Sequence, residues 1–279
     1  MKKIVIATLF SISALALVAQ EEEEGRIKGG LTLATGLNFK TPETNLISST
    51  GAGFDFTIGM LGDYKINKNI SFTSGVEFDF TRFSYEYASS FQNGGPVFVE
   101  YRDREVLRNG HDSAIDGLFR VDQRRTRAIY ATVPTMIKFQ TNYMGYLRYF
   151  GRFGLRNSFL MRSRVDFEDA DVNTGADVNT ELVATPGELP DMQTSRDMSF
   201  YRGSVGLSVG AEWNFAGSTS LVGELGYFYG FTNVHRTGTL FGDDDKNYHL
   251  FQIDNMLERT YRTSSTMPGQ LMLRATILF

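Results

Sequence analysis

Cysteine is absent from the chain, so disulfide bonds, thiol catalysis and cysteine-based zinc sites are excluded. Proline is scarce, at 6 of 279 residues, while glycine reaches 28, phenylalanine 23 and tyrosine 13. A sequence rich in glycine and aromatic residues favours β structure over a helix bundle. No apolar run after residue 18 is long enough for a transmembrane helix. The composition therefore predicts a β protein whose main body contains no membrane-spanning helix.

The first twenty residues, MKKIVIATLFSISALALVAQ, have the organisation of a secretory signal peptide. Lys2 and Lys3 precede an uncharged apolar run, and Ala19–Gln20 is suited to cleavage. We predict a signal peptide over 1–19 and an acidic periplasmic leader over 20–28, with an uncleaved membrane anchor as the alternative. No cysteine follows, which excludes a lipoprotein. We expect the mature protein to be exported.

The rest of the sequence alternates apolar and polar residues at every second position, which is typical of half-buried strands. In the last stretch, for example, Leu273 and Ile277 alternate with Arg274 and Thr276. Pro134 falls inside another stretch, where its missing N–H predicts a local bulge. Eight such stretches are present, at 29–39, 51–61, 70–80, 128–139, 146–159, 201–215, 220–231 and 269–279.

Short and long connections alternate between these stretches. The connections at 62–69, 140–145 and 216–219 are short, and those at about 40–50, 88–127, 165–199 and 232–263 are long. Short periplasmic turns with long extracellular loops are the arrangement of outer-membrane barrels. We predict an all-β fold over 29–279, a closed antiparallel up-and-down transmembrane β-barrel of eight strands. Ten strands remain an alternative, in which 96–101 and a stretch near 247–253 form a hairpin pair that enters the wall.

The composition of the two strand faces separates a membrane barrel from a soluble sandwich or lipocalin-like barrel. The polar face is mainly glycine, serine, threonine and asparagine, which fit the narrow lumen of about eight strands. The other face carries leucine, isoleucine, valine and phenylalanine, with aromatic residues near the strand ends, as expected next to lipid. We therefore predict that the apolar face points outward.

The chain ends on a phenylalanine that follows alternating apolar residues. Leu271, Leu273, Ala275, Ile277 and Phe279 resemble the C-terminal strand signature of bacterial outer-membrane proteins, which the outer-membrane assembly machinery reads. The segments RAIYATVPTMIKF (127–139) and DYKINKNISFTSGVEF (63–78) are similar to the PorT-like outer-membrane β-barrel family. The resemblance covers about 30–279. It implies a place in the bacterial outer membrane and a link to protein secretion.

Isolated charges interrupt the small-residue face of the predicted strands. Because charges inside a narrow lumen must be paired, we predict the contacts Arg148–Glu212 and Arg274–Glu224. The favoured interpretation is a structural salt-bridge network that fills the barrel. A gated or selective small pore and a catalytic site in the lumen are the alternatives. The candidate residues of this network are Glu77, Asp79, Arg148, Arg152, Arg156, Glu212, Glu224 and Arg274.

Three groups of residues outside the alternating stretches are candidate sites. His111, His235 and His249 fall in long connections, so an outer-membrane protease or other surface hydrolase is a minor alternative. The segment FGDDDKN (241–247) lacks the spacing of a calcium loop, and a solvated turn is favoured. Arg124, Arg125 and Arg127 are candidate contacts to lipopolysaccharide phosphates, unless they are a basic face without a ligand.

The sequence as a whole favours a non-enzymatic outer-membrane barrel with a structural or interaction role. We expect its partners to be outer-membrane lipid and lipopolysaccharide, the assembly machinery and other envelope proteins. The acidic connection at 165–199 argues against nucleic acid. No cofactor, metal or catalytic motif is predicted. A small-solute porin and an outer-membrane surface hydrolase are the two alternative functions.

Overall fold

The structure, a computed structural model, describes residues 27–42, 47–87, 96–107, 117–172, 184–194, 197–216, 219–235, 250–253, 259–262 and 266–279. These residues contain no helix that is long and apolar enough to cross a membrane. The predicted signal peptide and all but the last two residues of the predicted leader lie outside the described residues. The strands are β1 (Ile27–Pro42), β2 (Ile47–Ser49), β3 (Gly53–Lys65), β4 (Ile70–Tyr87), β5 (Val97–Arg102), β6 (Glu105–Val106), β7 (Gly117–Gln140), β8 (Leu147–Val172), β9 (Ala184–Thr194), β10 (Tyr201–Ala216), β11 (Thr219–Gly230), β12 (Leu250–Ile253), β13 (Arg259–Arg262) and β14 (Thr266–Leu278).

Eight of the strands pair in a cycle, which we call the ring. The antiparallel neighbours run β1–β3–β4–β7–β8–β10–β11–β14, and β14 pairs with β1 again. Each ring strand therefore has a hydrogen-bonded neighbour on both sides, and none of the eight presents a free edge along this stretch. The all-β prediction is confirmed. The described residues nevertheless form fourteen strands instead of the predicted eight, and the eight predicted stretches correspond to the ring strands.

The seam between the first and last strands is closed by main-chain hydrogen bonds. Thirteen residue pairs align β1 with β14, from Gly30 opposite Leu278 to Pro42 opposite Thr266. Beyond the last aligned pair, the N–H of Phe279 donates to the carbonyl of Gly29 at 2.8 Å, and Gly29 returns the bond at 3.2 Å. The main chain of the final residue is thus part of the ladder.

The two faces of the ring have opposite chemistry. Large apolar side chains point outward and are exposed, such as Leu33 at 52% and Leu273 at 59%. Polar side chains point inward, and Thr57, Glu77 and Asp79 are fully buried. The alternation of the sequence is therefore inverted relative to a soluble protein, in which the apolar face would be the buried one.

The other six strands add to one end of the ring. We call the end that carries the connections 66–69 and 141–146 the turn end, and the opposite one the loop end. At the loop end, β5 pairs with β7, β9 pairs with β8, and β12 pairs with β5. The stretches proposed as an extra hairpin pair in the wall, β5 and β12, therefore lie outside the ring.

The loop end also contains the largest set of buried apolar side chains, which we call the outer apolar core. It packs above the polar interior of the ring. Its members come from ring and added strands: Ile47, Phe83, Tyr85, Tyr87, Val97, Val99, Val106, Phe119, Val121, Ala128, Tyr130, Val165, Phe167, Met192, Met198, Val234 and Leu250.

A bulge is present in β8 instead of at Pro134. Pro134 pairs with Arg156 without a shift of register, so the bulge prediction is wrong. The β4–β7 ladder accommodates the missing N–H of the proline by omitting the pairs at Gly75 and Val76 while keeping the same register. The register shifts further along, where Ile129 pairs with Arg162 and Tyr130 with Leu160, which leaves Met161 as the extra residue.

Candidate functional site

Charged side chains from seven of the eight ring strands meet inside the ring. All of them are buried, and they are held at positions whose side chains point inward. We call this set the inner charge cluster. It consists of Asp63, Glu77, Asp79, Lys138, Arg148, Arg152, Arg156, Arg202, Glu212, Glu224 and Arg274.

Arg148, Arg152 and Arg156 organise the cluster into three layers. They lie four residues apart on β8, so their α-carbons follow one another at intervals of about 13 Å along the strand. All three point inward because an even spacing keeps side chains on one face of a strand. Each guanidinium contacts a different acidic residue, which defines the layers described next.

The layer nearest the turn end is centred on Glu212 of β10. Arg148 Nη2 donates to Glu212 Oε2 at 2.6 Å, and Lys138 Nζ approaches the same oxygen at 3.1 Å. The hydroxyl of Tyr143 donates to Glu212 Oε1 at 3.0 Å. The predicted Arg148–Glu212 contact is therefore present, and a lysine and a tyrosine add to it.

The middle layer links five strands, β3, β7, β8, β11 and β14. Arg152 donates to Glu224 of β11, and its Nη2 lies 3.5 Å from Asp63 of β3. Lys138 also reaches Asp63, at 2.8 Å. Arg274 of β14 lies 3.4 Å from Glu224, so the second predicted contact is present. The carboxylate of Glu224 is therefore shared between two arginines.

The layer nearest the loop end is centred on Arg156. Its Nη2 donates to Glu77 and to Asp79 of β4, each at 2.9 Å. Arg274 approaches Glu77 at 2.7 Å, and Arg202 approaches Asp79 at 3.4 Å. β4 and β14 are not paired strands, so the Glu77–Arg274 contact crosses the interior of the ring. Paired charges of this kind avoid the desolvation cost of an isolated buried ion.

Aromatic rings and close packing fill the space between the layers. The charged groups of Arg152 and Lys138 lie 4.9 and 4.8 Å from the ring centroid of Phe150, and Arg202 lies 4.2 Å from that of Tyr130. A space of about 10 Å³ remains beside Asp55 and Arg202, which is about one water molecule at most. Paired charged groups and aromatic rings therefore fill the interior of the ring around this space.

Five interior charged residues were not predicted from the sequence as part of the charge network, namely Lys40, Asp55, Asp63, Lys138 and Arg202. The same alternation could have found them. Asp55 and Asp63 are an even number of residues apart on β3, and Asp55 bonds to Asn38 at 2.8 Å and to Gln270 at 2.7 Å. Asp63 and Lys138 lie near the turn end, where a sequence pattern does not show whether a polar residue belongs to a strand or to a turn.

A second buried polar group lies at the loop end, within the outer apolar core. Arg124 donates to Asp197, whose carboxylate lies 3.5 Å from His235 Nδ1. His235 Nε2 lies 3.2 Å from the hydroxyl oxygen of Tyr85. Arg124 is 1% exposed, so its proposed contact with lipid phosphate is wrong. The alternation of β7 turns Arg124 inward and leaves Arg125 and Arg127 on the outside.

Of the three histidines named for the hydrolase alternative, the structure describes His235. His235 is buried and its partners are the ones just described, while His111 and His249 lie outside the described residues. The candidate calcium segment, 241–247, also lies outside them. Within the part of the chain that the structure describes, no group of three or more histidine, aspartate or glutamate residues could hold a metal ion.

His235 is expected to make stability dependent on pH. Burial lowers the pKa of His235 from its usual 6.5, Asp197 opposes this, and Arg124 and Lys40 reinforce it. The unfolded chain takes up a proton near pH 6.5 while the folded chain does not, so stability is lost as pH falls through this value. The loss approaches about 1.4 kcal/mol per pH unit for one group.

Urea unfolding of the refolded protein at several values between about pH 8 and pH 5 measures this slope. A His235→Gln variant should show a smaller slope, because the titrating group is gone. Equal slopes for the two proteins would contradict the assignment. Carboxylates that titrate towards the lower end of this pH range are present in both proteins. The difference between the two slopes therefore reports on His235.

Comparisons with known proteins identify the family of the chain. The family model described as outer membrane protein beta-barrel domain matches residues 18–236. No curated protein matches the chain. Among solved structures, Neisserial surface protein A is 12% identical with a TM-score of 0.35, and the match covers 92% of this chain and 100% of that one.

Two further solved structures show similar values. OprG from Pseudomonas aeruginosa is 8% identical with a TM-score of 0.33, over 91% of this chain and 94% of that one. A major outer membrane protein from Thermus thermophilus is 13% identical with a TM-score of 0.33, over 90% and 99%. The family match covers more than half of the sequence. The chain therefore belongs to the outer membrane protein β-barrel domain family, and the protein resides in the bacterial outer membrane.

Proposed function

We propose that the eight-stranded ring is the transmembrane wall of this outer-membrane protein, and that its role is structural or interactive instead of enzymatic. A membrane-crossing strand needs about 9–11 residues with an apolar outward face. The outward residues of β1 from Leu31 to Phe39 satisfy this, as do those of β3 from Phe54 to Tyr64. Exposed Trp213 and Phe215 lie towards the turn end, and Tyr229 and Phe231 towards the loop end, as expected of two aromatic girdles.

The orientation follows from the unequal ends of the ring. Outer-membrane barrels have short turns on the periplasmic side and longer connections outside the cell. The turn end is then periplasmic, and β5, β6, β9, β12, β13 and the outer apolar core are extracellular. These added elements are the surface on which we expect envelope partners to bind. The PorT-like resemblance of 63–78 and 127–139 favours a partner in protein secretion.

The inner charge cluster is the observation that carries the assignment of a closed scaffold. Three successive layers of ion pairs cross the interior, and the outer apolar core lies at the loop end beyond them. Opening a path for ions would require separating buried charges from their partners, which costs several kcal/mol per ion. This supports a closed scaffold, with the small-solute porin as the alternative.

Planar bilayer recordings test the closed interior. The refolded protein should give no conductance steps. A Glu224→Ala variant should give none either, because the Arg148–Glu212 layer and the Arg156–Glu77 layer remain on the two sides of the change. Insertion is verified separately by the heat-dependent gel shift of a folded barrel. Regular steps from the wild-type protein would support the porin and contradict the proposal.

A further inference from the structure

Four arginines lie together on the outward face of β4, β7 and β8, at the loop end of the apolar surface. Arg82 pairs across the sheet with Arg127, and Arg127 pairs with Arg164. Arg162 is opposite Ile129, one outward position closer to the turn end. The four side chains line a surface cavity of about 240 Å³ together with Phe80 and Ile129. We call Arg82, Arg127, Arg162 and Arg164 the arginine patch.

The bulge at Met161 puts two of the four arginines on this face. On the turn-end side of the bulge, odd-numbered residues of β8 such as Leu155 and Phe159 are exposed. On the other side, Val165 and Phe167 are buried, so the even-numbered residues point outward. Without the extra residue, Arg162 and Arg164 would point into the interior. Bulges commonly re-aim side chains in this way next to functional sites.

The patch holds more positive charge than its neighbours neutralise. Like charges directly opposite each other on neighbouring strands are destabilising. Arg127 contacts Asp166 at 2.8 Å and Asp191 at 3.5 Å, and Arg164 lies 3.7 Å from Asp191. Arg82 and Arg162 are exposed and form no ion pair with any residue that the structure describes. Two guanidinium groups are therefore available to an anion.

The position of the patch identifies the kind of anion. Phe80 and Ile129 lie on the turn-end side of Arg82 and Arg127, level with Arg162, and both belong to the outward apolar face. The boundary between an apolar belt and a basic cluster is the depth at which phosphates of membrane lipids lie. Guanidinium groups bind phosphate oxygens in a bidentate geometry that lysine cannot reproduce.

We propose that the arginine patch binds the phosphate groups of a phosphorylated glycolipid of the outer leaflet, lipopolysaccharide, with its acyl chains lying over Phe80 and Ile129. The bound phosphates relieve the repulsion between Arg82, Arg127 and Arg164. The proposal rests on the transmembrane wall and the orientation proposed above. It adds a lipid site that neither the fold nor the inner charge cluster requires.

The test is calorimetric titration of purified lipopolysaccharide into the full chain, folded in an uncharged detergent that contains no phosphate. The double variant Arg82→Gln, Arg162→Gln removes the two arginines without an ion pair, and its affinity should fall by about tenfold or more. The matched control Lys65→Gln, Lys68→Gln removes the same net charge. Lys65 is the last residue of β3 and Lys68 lies in the turn 66–69, so both are at the turn end, opposite the arginine patch. Its affinity should stay within about twofold of the wild type.

Two further arms use the wild-type protein alone, so they hold even if a variant does not fold. Dephosphorylated lipopolysaccharide should bind about tenfold more weakly or worse, because its acyl chains are unchanged and its phosphates are gone. Millimolar inorganic phosphate should not displace the lipid. Equal binding of the dephosphorylated lipid, or of the Arg82→Gln, Arg162→Gln variant, would overturn the proposal. Displacement by inorganic phosphate would assign the patch to a free anion and overturn the lipid assignment. The bilayer recordings need no lipopolysaccharide, so failure here is distinguishable from failure of the closed scaffold.

Discussion

An Arg156→Met variant should unfold with a free energy about 3–5 kcal/mol lower than that of the wild-type protein. Arg156 Nη2 bridges Glu77 and Asp79, each at 2.9 Å, and its Nη1 donates to Gln270 at 2.6 Å. Methionine retains much of the volume of the side chain but none of its charge. The two carboxylates then keep Arg274 and Arg202 as partners but lose the cation that joins them. Urea unfolding of the protein in lipid vesicles measures the difference.

Arg125→Met is the matched control for this experiment. Arg125 is also an arginine with a carboxylate partner, Glu168 at 2.9 Å, but its side chain is about half exposed. Exposed pairs contribute about 0–1 kcal/mol, so the control should stay close to the wild type. A loss for Arg156→Met no larger than that for Arg125→Met would show that the inner charge cluster does not stabilise the ring.

Removing Phe279 should strongly lower the amount of protein that reaches the outer membrane. We propose that Leu271, Leu273, Ala275, Ile277 and Phe279 are the signal that the assembly machinery binds. The side chain of Phe279 is 54% exposed and contributes little to packing, while its main chain bonds to Gly29. Phe279→Ala keeps those main-chain bonds, so it separates recognition from closure of the seam. Immunoblots of outer-membrane fractions after expression measure the effect.

The same variants refolded in vitro provide the control. Phe279→Ala should refold into detergent micelles with a yield close to that of the wild type, because no assembly machinery takes part. Deleting the acidic residues 21–24 should leave the outer-membrane level unchanged. If the amount of Phe279→Ala protein in the outer membrane equalled that of the wild type, the proposed assembly role of the terminal side chain would be contradicted. A poor refolding yield would instead assign its effect to stability.

Alternation along the chain was sufficient to find the ring strands and the inward side of each. One face of a membrane barrel borders lipid and the other borders the polar interior. The residue type at each position therefore indicates which of the two faces its side chain belongs to. This is why Arg274, a single charge among apolar residues, was correctly taken as pointing inward. The same logic predicted the contacts Arg148–Glu212 and Arg274–Glu224, because both pairs lie on adjacent strands and are in register.

The contacts that cross the interior could not be predicted from the alternation of residue types. The Glu77–Arg274 and Arg152–Asp63 contacts join strands that are not neighbours, and their meeting depends on the tilt and stagger of the whole ring. The bulge at Met161 was also missed, because the sequence around it, FLMRSR, has no glycine or proline to mark it. The extension of β7 and β8 to 24 and 26 residues was missed because polar residues dominate their loop-end halves.

The contacts of Glu77 have a consequence for the order of folding. This carboxylate lies on β4, yet its two partners come from β8 and from β14, the last strand of the chain. When only the first strands of the chain have inserted, the Glu77 carboxylate lacks its full set of partners. The partial sheet also has an edge whose main-chain groups are without a neighbouring strand. Partly inserted forms are therefore unfavourable. Insertion and closure should occur in one cooperative step, at the slow rate typical of contacts between distant parts of a chain.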